Sequence, residues 1–288
     1  MRPFDFHPAT SVSEAVDLLG RYGEGTQLLA GGTSVMLLGR LGLVDPEHVV
    51  GLRDVDELRG IEVTPSGEVR LGALATLREV ETSQQVRRQA PALAEAVHTV
   101  ATIRIRHQAT VGGNLAHADP AQDAPPMLMA LGATVEAVGG HGRRSFPIEQ
   151  LFAGFLETTL APDEVLAAVV VPPQEDAAGY LKFLPRTKDD YATVSVAAAL
   201  RCADGRCTAL RVALGGVGAT PLRAPSVEAA LTGQRPDAGT VEDAAAQVRA
   251  DIDPIGDARG SAAYKRDMAV VCVARLLRRL LATNEEPT

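Results

Sequence analysis

TVGGNLAHADPAQD, residues 110–123, is the stretch on which the reading of the chain turns. Adjacent glycines, an asparagine, and Asp119 and Asp123 beyond it favour neither helix nor strand, so the segment is expected to be a shaped loop. A second glycine pair lies far upstream in Ala30-Gly31-Gly32-Thr33-Ser34, at the end of the short apolar run that begins at Thr26. Each pair is followed by small hydroxyl or amide side chains, Thr33 and Ser34 in one case and Asn114 in the other. Missing side chains let a phosphate approach the main chain, and successive amides solvate its charge without Lys or Arg. That suits a pyrophosphate shared between two loops. Taken singly, each pair is also what a plain tight turn uses.

Outward from these loops the hydrophobic period sets the elements. Val12, Ala15, Val16, Leu18 and Leu19 recur at helical spacing over 11–22, and 26–30 and 48–52 read as short strands of a small α/β unit. Ile61–Val63 and Val69–Leu71 alternate around Pro65-Ser66-Gly67 as a hairpin. Helices are expected at about 76–88 and 91–100, with Ile103–Arg106 leading into the 110–123 loop. Beyond it, 125–131 is apolar at most positions and reads as a buried helix. Strands follow at 133–138, 145–148 and 164–171, with a helical turn at 148–152, up to the diproline Pro172-Pro173. Then the pattern changes: 179–183, 192–201 and 208–214 predict a three-stranded antiparallel sheet, and 226–232, 240–249 and 260–283 predict helices over it. The class is α+β, with boundaries expected at 1–58, 59–173 and 174–288.

Composition excludes several functions. The net charge of -8 and pI near 5.3 oppose nucleic-acid binding, which needs a basic stripe, and the arginines of 275–279 read as one solvated face of a terminal helix. No apolar run reaches the roughly 20 residues of a membrane span, and the N-terminal stretch has no signal-peptide core, so a cytoplasmic protein without a span is expected. Cys202, Cys207 and Cys272 lack metal-like spacing and read as buried thiols, too few for a four-cysteine iron–sulfur cluster.

Other motifs are negative or ambiguous. There is no G-x-x-x-x-G-K-[ST], and Gly215-Gly216-Val217-Gly218 lacks the third glycine and following helix of a dinucleotide fingerprint, so it reads as a strand-end turn and not as part of a Rossmann domain. Pro120 and the scarcity of oxygen ligands argue against a calcium loop at Asp119 and Asp123. One of the two is expected to accept hydrogen bonds from sugar or ribityl hydroxyls, the other to cap the helix near Pro125. His117 reads as a hydrogen-bonded loop histidine. No spacing nominates a nucleophile with its base, and no catalytic or metal-ligating residue is assigned.

The segments 29–34 and 110–123 resemble the paired FAD-binding loops of the medium, flavin-carrying subunit of molybdenum hydroxylases, the family of carbon monoxide dehydrogenase and xanthine dehydrogenase. The resemblance continues through Thr159–Glu164, Lys182-Phe183, Arg186, Asp189–Ala192 and Tyr264-Lys265-Arg266, and so spans essentially the whole chain. It implies a vanillyl-alcohol-oxidase-type (PCMH-type) FAD-binding domain of two α/β subdomains, 1–58 and 59–173, plus a carbon monoxide dehydrogenase flavoprotein-type C-terminal domain. By motif position it implies that Ala30, Gly31, Gly32, Thr33 and Ser34, with Thr110, Gly112, Gly113 and Asn114, cradle the pyrophosphate. It further implies that Asp123 binds flavin hydroxyls, that Leu160 and Lys182 line the flavin, and that Tyr191 shields one isoalloxazine face.

The resemblance also implies the division of labour. A molybdenum cofactor in a large subunit hydroxylates substrate, two 2Fe–2S clusters in a small subunit relay electrons, and FAD in this chain passes them to an external acceptor. The partners implied are those two subunits, in a heterotrimer that dimerises. The rivals are a stand-alone FAD oxidase or dehydrogenase of a small alcohol, and a cofactor-free assembly subunit.

Overall fold

A computed structural model describes residues 3–184 and 186–285; Met1 and Arg2, part of the N-terminal stretch read above, lie outside the described residues. The chain opens with β1 (Asp5–Pro8), α1 (Val12–Tyr22), β2 (Thr26–Leu29), α2 (Val35–Arg40) and β3 (His48–Gly51). The three strands form a parallel sheet in the order β1-β3-β2. Helix α1 is where the apolar period put it: Val12, Ala15, Val16 and Leu19 are buried, and the Ser11 side chain caps it by accepting from Glu14 N. Strand β1, Asp5-Phe6-His7-Pro8, lies outside the expected strands because four residues ending in a proline are too short to announce a period. Because β2 ends at Leu29, the sheet delivers Gly31-Gly32 to its own edge, and Gly32 adopts a left-handed φ of 73° that favours glycine.

Next come β4 (Ile61–Val63), β5 (Val69–Gly72), α3 (Leu77–Thr82), α4 (Gln84–Gln89), α5 (Pro91–His98), α6 (Ile103–Gln108), α7 (Val111–His117) and α8 (Ala124–Leu131). They are followed by β6 (Thr134–Gly139), β7 (Gly142–Pro147), β8 (Phe152–Gly154), β9 (Glu157–Thr158) and β10 (Val165–Val171). The main sheet is antiparallel, β4-β5-β10-β6-β7, with the apolar β10 at its centre. The single helix expected at 76–88 is two, because Ser83 takes an extended conformation and its hydroxyl caps α4 by accepting from Val86 N. The lead-in at 103–106 is itself helical, capped by Thr102.

The larger correction concerns 110–123. Its first half is a helix, α7, with Thr110 as N-cap accepting from Gly113 N at 3.1 Å. Glycine disfavours helix by about 1 kcal/mol relative to alanine, but tertiary contacts override that here. The amides of Val111 and Gly112 donate to Ala75 O (2.9 Å) and Ala73 O (2.8 Å) in the β5–α3 connection. A Cβ on Gly112 would sit 2.6 Å from Ala73 Cβ, so glycine is what lets the helix start lie on that connection.

The remaining elements are β11 (Ala177–Phe183), β12 (Val194–Ala203), β13 (Arg206–Gly215), β14 (Leu222–Arg223), α9 (Pro225–Leu231), α10 (Ala238–Ala246) and α11 (Ala262–Glu285). The sheet is antiparallel with four strands in sequence order, not three, because two-residue β14 is too short to show a period. One sheet face packs under the helices with Val196, Ala198 and Leu200; the other turns Tyr180, Ala197 and Ala213 toward the first core. Helix α8 is buried at all eight positions because it lies between α5 and strands β12 and β13. Cys207 and Cys272 are buried thiols, pushed up to about 11 chiefly by burial, while Cys202 is half-buried. Among the described residues no helix is long and apolar enough to cross a membrane.

One buried ion pair braces the corner between α5 and α6. Glu81, 4% exposed, accepts from Arg106 Nε at 2.9 Å, pairs with His98 Nδ1 at 2.6 Å and lies 3.0 Å from Arg78 Nη1. Arg106 Nη1 also donates to Val100 O and Ala101 O, which holds Ala101 at a φ of 41°. Burial raises the Glu81 carboxyl, but the bonds from His98, Arg78 and Arg106 outweigh it and hold the pKa at about 2. A carboxyl lowered on folding stabilises the protein above its unfolded pKa of 4.5, and that contribution is lost as pH falls from there toward about 2. Glu81→Gln is therefore expected to lose about 3 kcal/mol at pH 7. Urea unfolding at pH 7 and pH 3 checks it, since the gap between variant and wild type should narrow at the lower pH.

Candidate functional site

The β2–α2 glycine segment and the start of α7 are in direct contact. A Cβ on Gly31 would lie 1.8 Å from Gln108 O, and one on Gly113 would lie 3.8 Å from Ala30 Cβ. Their main chains are not equivalent, however. The amides of Val111, Gly112, Gly113 and Asn114 are all spent on protein acceptors: Ala75 O, Ala73 O, Thr110 Oγ1 and Thr110 O. Those of Gly31, Gly32, Thr33, Ser34 and Val35 have no protein acceptor among the described residues. The expectation that both segments offer bare amides is corrected to one that does and one that supports it.

Two cavities of about 650 and 240 Å³ open on either side of this contact. Thr33, Ser34, Leu38, Gly113 and His117 line both, so the two form one cleft. The larger is walled by Ala30, Gly31, Gly32, Thr110, Gly112, Leu160 and apolar side chains from α1 and β2. The smaller is walled by Asn114, Asp123, Lys182, Tyr191, Asp189 and Asp190. Every site residue named from the sequence thus faces this cleft, but Leu160 and Lys182, expected along one flavin, face different halves of it.

Asp123 stands at the N-cap position of α8 yet makes no capping bond, and Asp119 spends Oδ1 on Ala121 N at 2.8 Å, so neither aspartate caps that helix through its side chain. Asp123 is instead 4% exposed, accepting from Tyr180 Oη on Oδ1 at 2.5 Å and from Lys182 Nζ on Oδ2 at 2.8 Å. Lys182 Nζ also donates to Thr99 O at 2.9 Å. Tyr180 and Lys182 lie two apart on β11, so strand alternation turns both to the same face. Burial raises the Asp123 pKa, opposed by the Lys182 charge and the bonds from Lys182 and Tyr180; burial and the neighbouring carboxylate push the Tyr180 hydroxyl well above its ordinary value.

Tyr191 is 40% exposed at the mouth, with the Arg259 guanidinium 5.3 Å from its ring centre. Partial burial, with Asp119 adding to it, pushes its hydroxyl up to about 12. His117 is lowered by burial, against the pull of Asp119.

Three buried acceptors around the cleft have no hydrogen-bond partner among the described residues: Thr26 Oγ1 in the larger cavity, Asn114 Oδ1 and Gln122 Oε1 in the smaller. Native proteins rarely leave such atoms unsatisfied, so each points to a ligand donor or a water. Thr26, Gln122 and Tyr180 were missed from the sequence; only the alternation of Tyr180 with Lys182 carried a signal. Free amides suit phosphate oxygens, orphan acceptors suit hydroxyl and N–H donors, and apolar walls suit ring faces. These residues fit a flavin–adenine dinucleotide.

Comparison with known proteins agrees. Residues 2–174 match the FAD binding domain in molybdopterin dehydrogenase, and residues 179–280 match the CO dehydrogenase flavoprotein C-terminal domain. The carbon monoxide dehydrogenase medium chain of Afipia carboxidovorans is 34% identical over 97% of each chain. In solved structures, carbon monoxide dehydrogenase from Hydrogenophaga pseudoflava superposes with a TM-score of 0.94 at 36% identity, over 98% of this chain and 99% of that one. Quinoline 2-oxidoreductase from Pseudomonas putida 86 gives 0.91 at 30% identity, over 97% of both chains.

Proposed function

The chain belongs to the medium, FAD-binding subunits of carbon monoxide dehydrogenase/xanthine dehydrogenase-type molybdenum hydroxylases, and from that premise we propose that it relays electrons from partner iron–sulfur clusters through FAD to an external acceptor. The observation that carries the reading is the pairing, in one cleft, of five free amides with three orphaned acceptors. Bound FAD supplies the redox chemistry.

This chain's residues bind and orient it. The amides of Gly31–Val35, with Thr33 and Ser34, take the pyrophosphate; Ala30, Thr110, Gly112 and Gly113 shape the floor beneath it. Asn114 would accept from the cofactor, and Asp123, which holds Lys182, would accept from flavin hydroxyls. Lys182 and Tyr191, in the wall of the smaller cavity, and Leu160, in the wall of the larger, would line the flavin. The subdomain limits 1–58, 59–173 and 174–288 follow the same reading, as does a heterotrimer, dimerised, with a large molybdenum-cofactor subunit and a small subunit of two 2Fe–2S clusters.

The purified chain is expected to take up about one equivalent of FAD, read from its visible absorbance, and the native complex to co-purify one larger and one smaller chain. A chain that stays colourless after reconstitution would overturn the reading; one that oxidises an alcohol unaided would replace it with a stand-alone oxidase.

A further inference from the structure

Tyr180 is assigned no role by the reading above, although it sits where the C-terminal sheet meets the cleft. Its ring is 8% exposed, and its carbonyl is held by Arg279 Nη2 of α11 at 2.9 Å. A buried aromatic that only filled this space would serve as well without a hydroxyl. Here the hydroxyl donates at 2.5 Å to Asp123, whose other oxygen receives Lys182 at 2.8 Å. Three side chains from two separate units, β11 and the N-terminus of α8, thus form one chain of contacts ending in the wall of the smaller cavity.

We propose that Tyr180 is a positioning residue for the cofactor: through Asp123 it holds the Lys182 ammonium in the cleft wall as half of a neutral pair, so that the C-terminal sheet sets the charge beside the flavin. The proposal rests on the reading that this cleft binds FAD. A lysine has four flexible carbons and little geometric preference of its own. Its position here comes from two acceptors, Asp123 Oδ2 and Thr99 O, and only the first carries charge. A buried carboxylate stays ionised when donors and an opposite charge compensate its burial, and Tyr180 supplies one of the two donors. The other titratable groups of this cavity are His117, Asp189, Asp190 and Tyr191, and Asp119, Arg259 and Asp123 itself act on Tyr191. None of them donates to Asp123.

Removing the hydroxyl has a signed consequence. With one donor fewer, Asp123 takes a proton at a higher pH than in the wild type, and the Lys182 charge is then uncompensated. A more positive field favours the electron-rich form of the cofactor, so its midpoint potential rises. The rise disappears at higher pH, where Asp123 is ionised in both proteins.

The test is Tyr180→Phe in the FAD-loaded full chain, which keeps the ring and its packing. Melting temperature and FAD content are measured first, and the midpoint potential is then followed from pH 6 to 9. The expected result is near-wild-type melting and flavin content, with a potential more positive than wild type at pH 6 that converges on it by pH 9. A loaded variant whose potential follows wild type throughout overturns the proposal, as does an offset that does not change with pH, which is the mark of repacking alone. If the wild type itself takes up no FAD, the parent reading fails and this one with it, an outcome distinguishable from the other two by absorbance.

Discussion

Lys182→Met is expected to cost about 3–5 kcal/mol of folding stability and to abolish most FAD retention. Removing one partner of a buried ion pair leaves the other charge uncompensated, and that penalty exceeds the net worth of the pair itself. Here Lys182 and Asp123 are 5% and 4% exposed, and the variant leaves Asp123 with only Tyr180 as a donor. The loss has a predictable pH dependence. Asp123 escapes by taking a proton, so the gap from wild type should be widest at pH 8 and narrower at pH 5. Urea unfolding at both pH values measures it. The double variant Asp123→Leu/Lys182→Met removes both charges; it should recover much of the stability, since apolar replacement of a whole buried pair is often neutral, while FAD stays lost. Equal stability of Lys182→Met and wild type at pH 8 would show that the pair is not a buried one in solution.

Gly31→Ala is the second large effect. The added carbon would lie 1.8 Å from Gln108 O and 2.7 Å from its carbonyl carbon, both main chain, so no side-chain rotation relieves the clash. The β2–α2 segment and α6 must separate. Overpacking of this kind costs about 1–3 kcal/mol. If that strain is relieved by moving the five free amides out of position, FAD affinity falls roughly tenfold to a hundredfold. Gly113→Ala is the informative comparison, because its Cβ would meet only Thr110 Oγ1, at 2.9 Å, and Ala30 Cβ, at 3.8 Å. Titration of the apo-chain with FAD should rank wild type above Gly113→Ala and Gly113→Ala above Gly31→Ala. The reverse order would place the phosphate on the α7 segment after all.

Much of the architecture was legible because burial leaves a period in the sequence. The stripe of α1, the unbroken apolar run of β10 and the β4–β5 hairpin each announce an element through a local pattern. The apolar content of 124–131 likewise announced a buried helix, though not that its burial comes from being pressed between α5 and the C-terminal sheet. What failed was local as well. Gly112 and Gly113 argued for a loop, and the chain is helical there because Ala73 O and Ala75 O accept the first amides.

The site divides the same way. Residue type by itself marked the two glycine segments, because missing side chains and small polar groups are local properties; the resemblance of their motifs to a family pointed to Asp123, Leu160, Lys182 and Tyr191, and these too line the cleft. Only the tertiary structure decided what each of them does. It spent the amides of one glycine segment and left those of the other free. It parted Leu160 from Lys182, and it set Asp123, expected at flavin hydroxyls, at the centre of a buried contact with Tyr180 and Lys182. The reason is physical: whether an amide or a carboxylate is free depends on acceptors and donors distant in sequence, and no local pattern records their arrival.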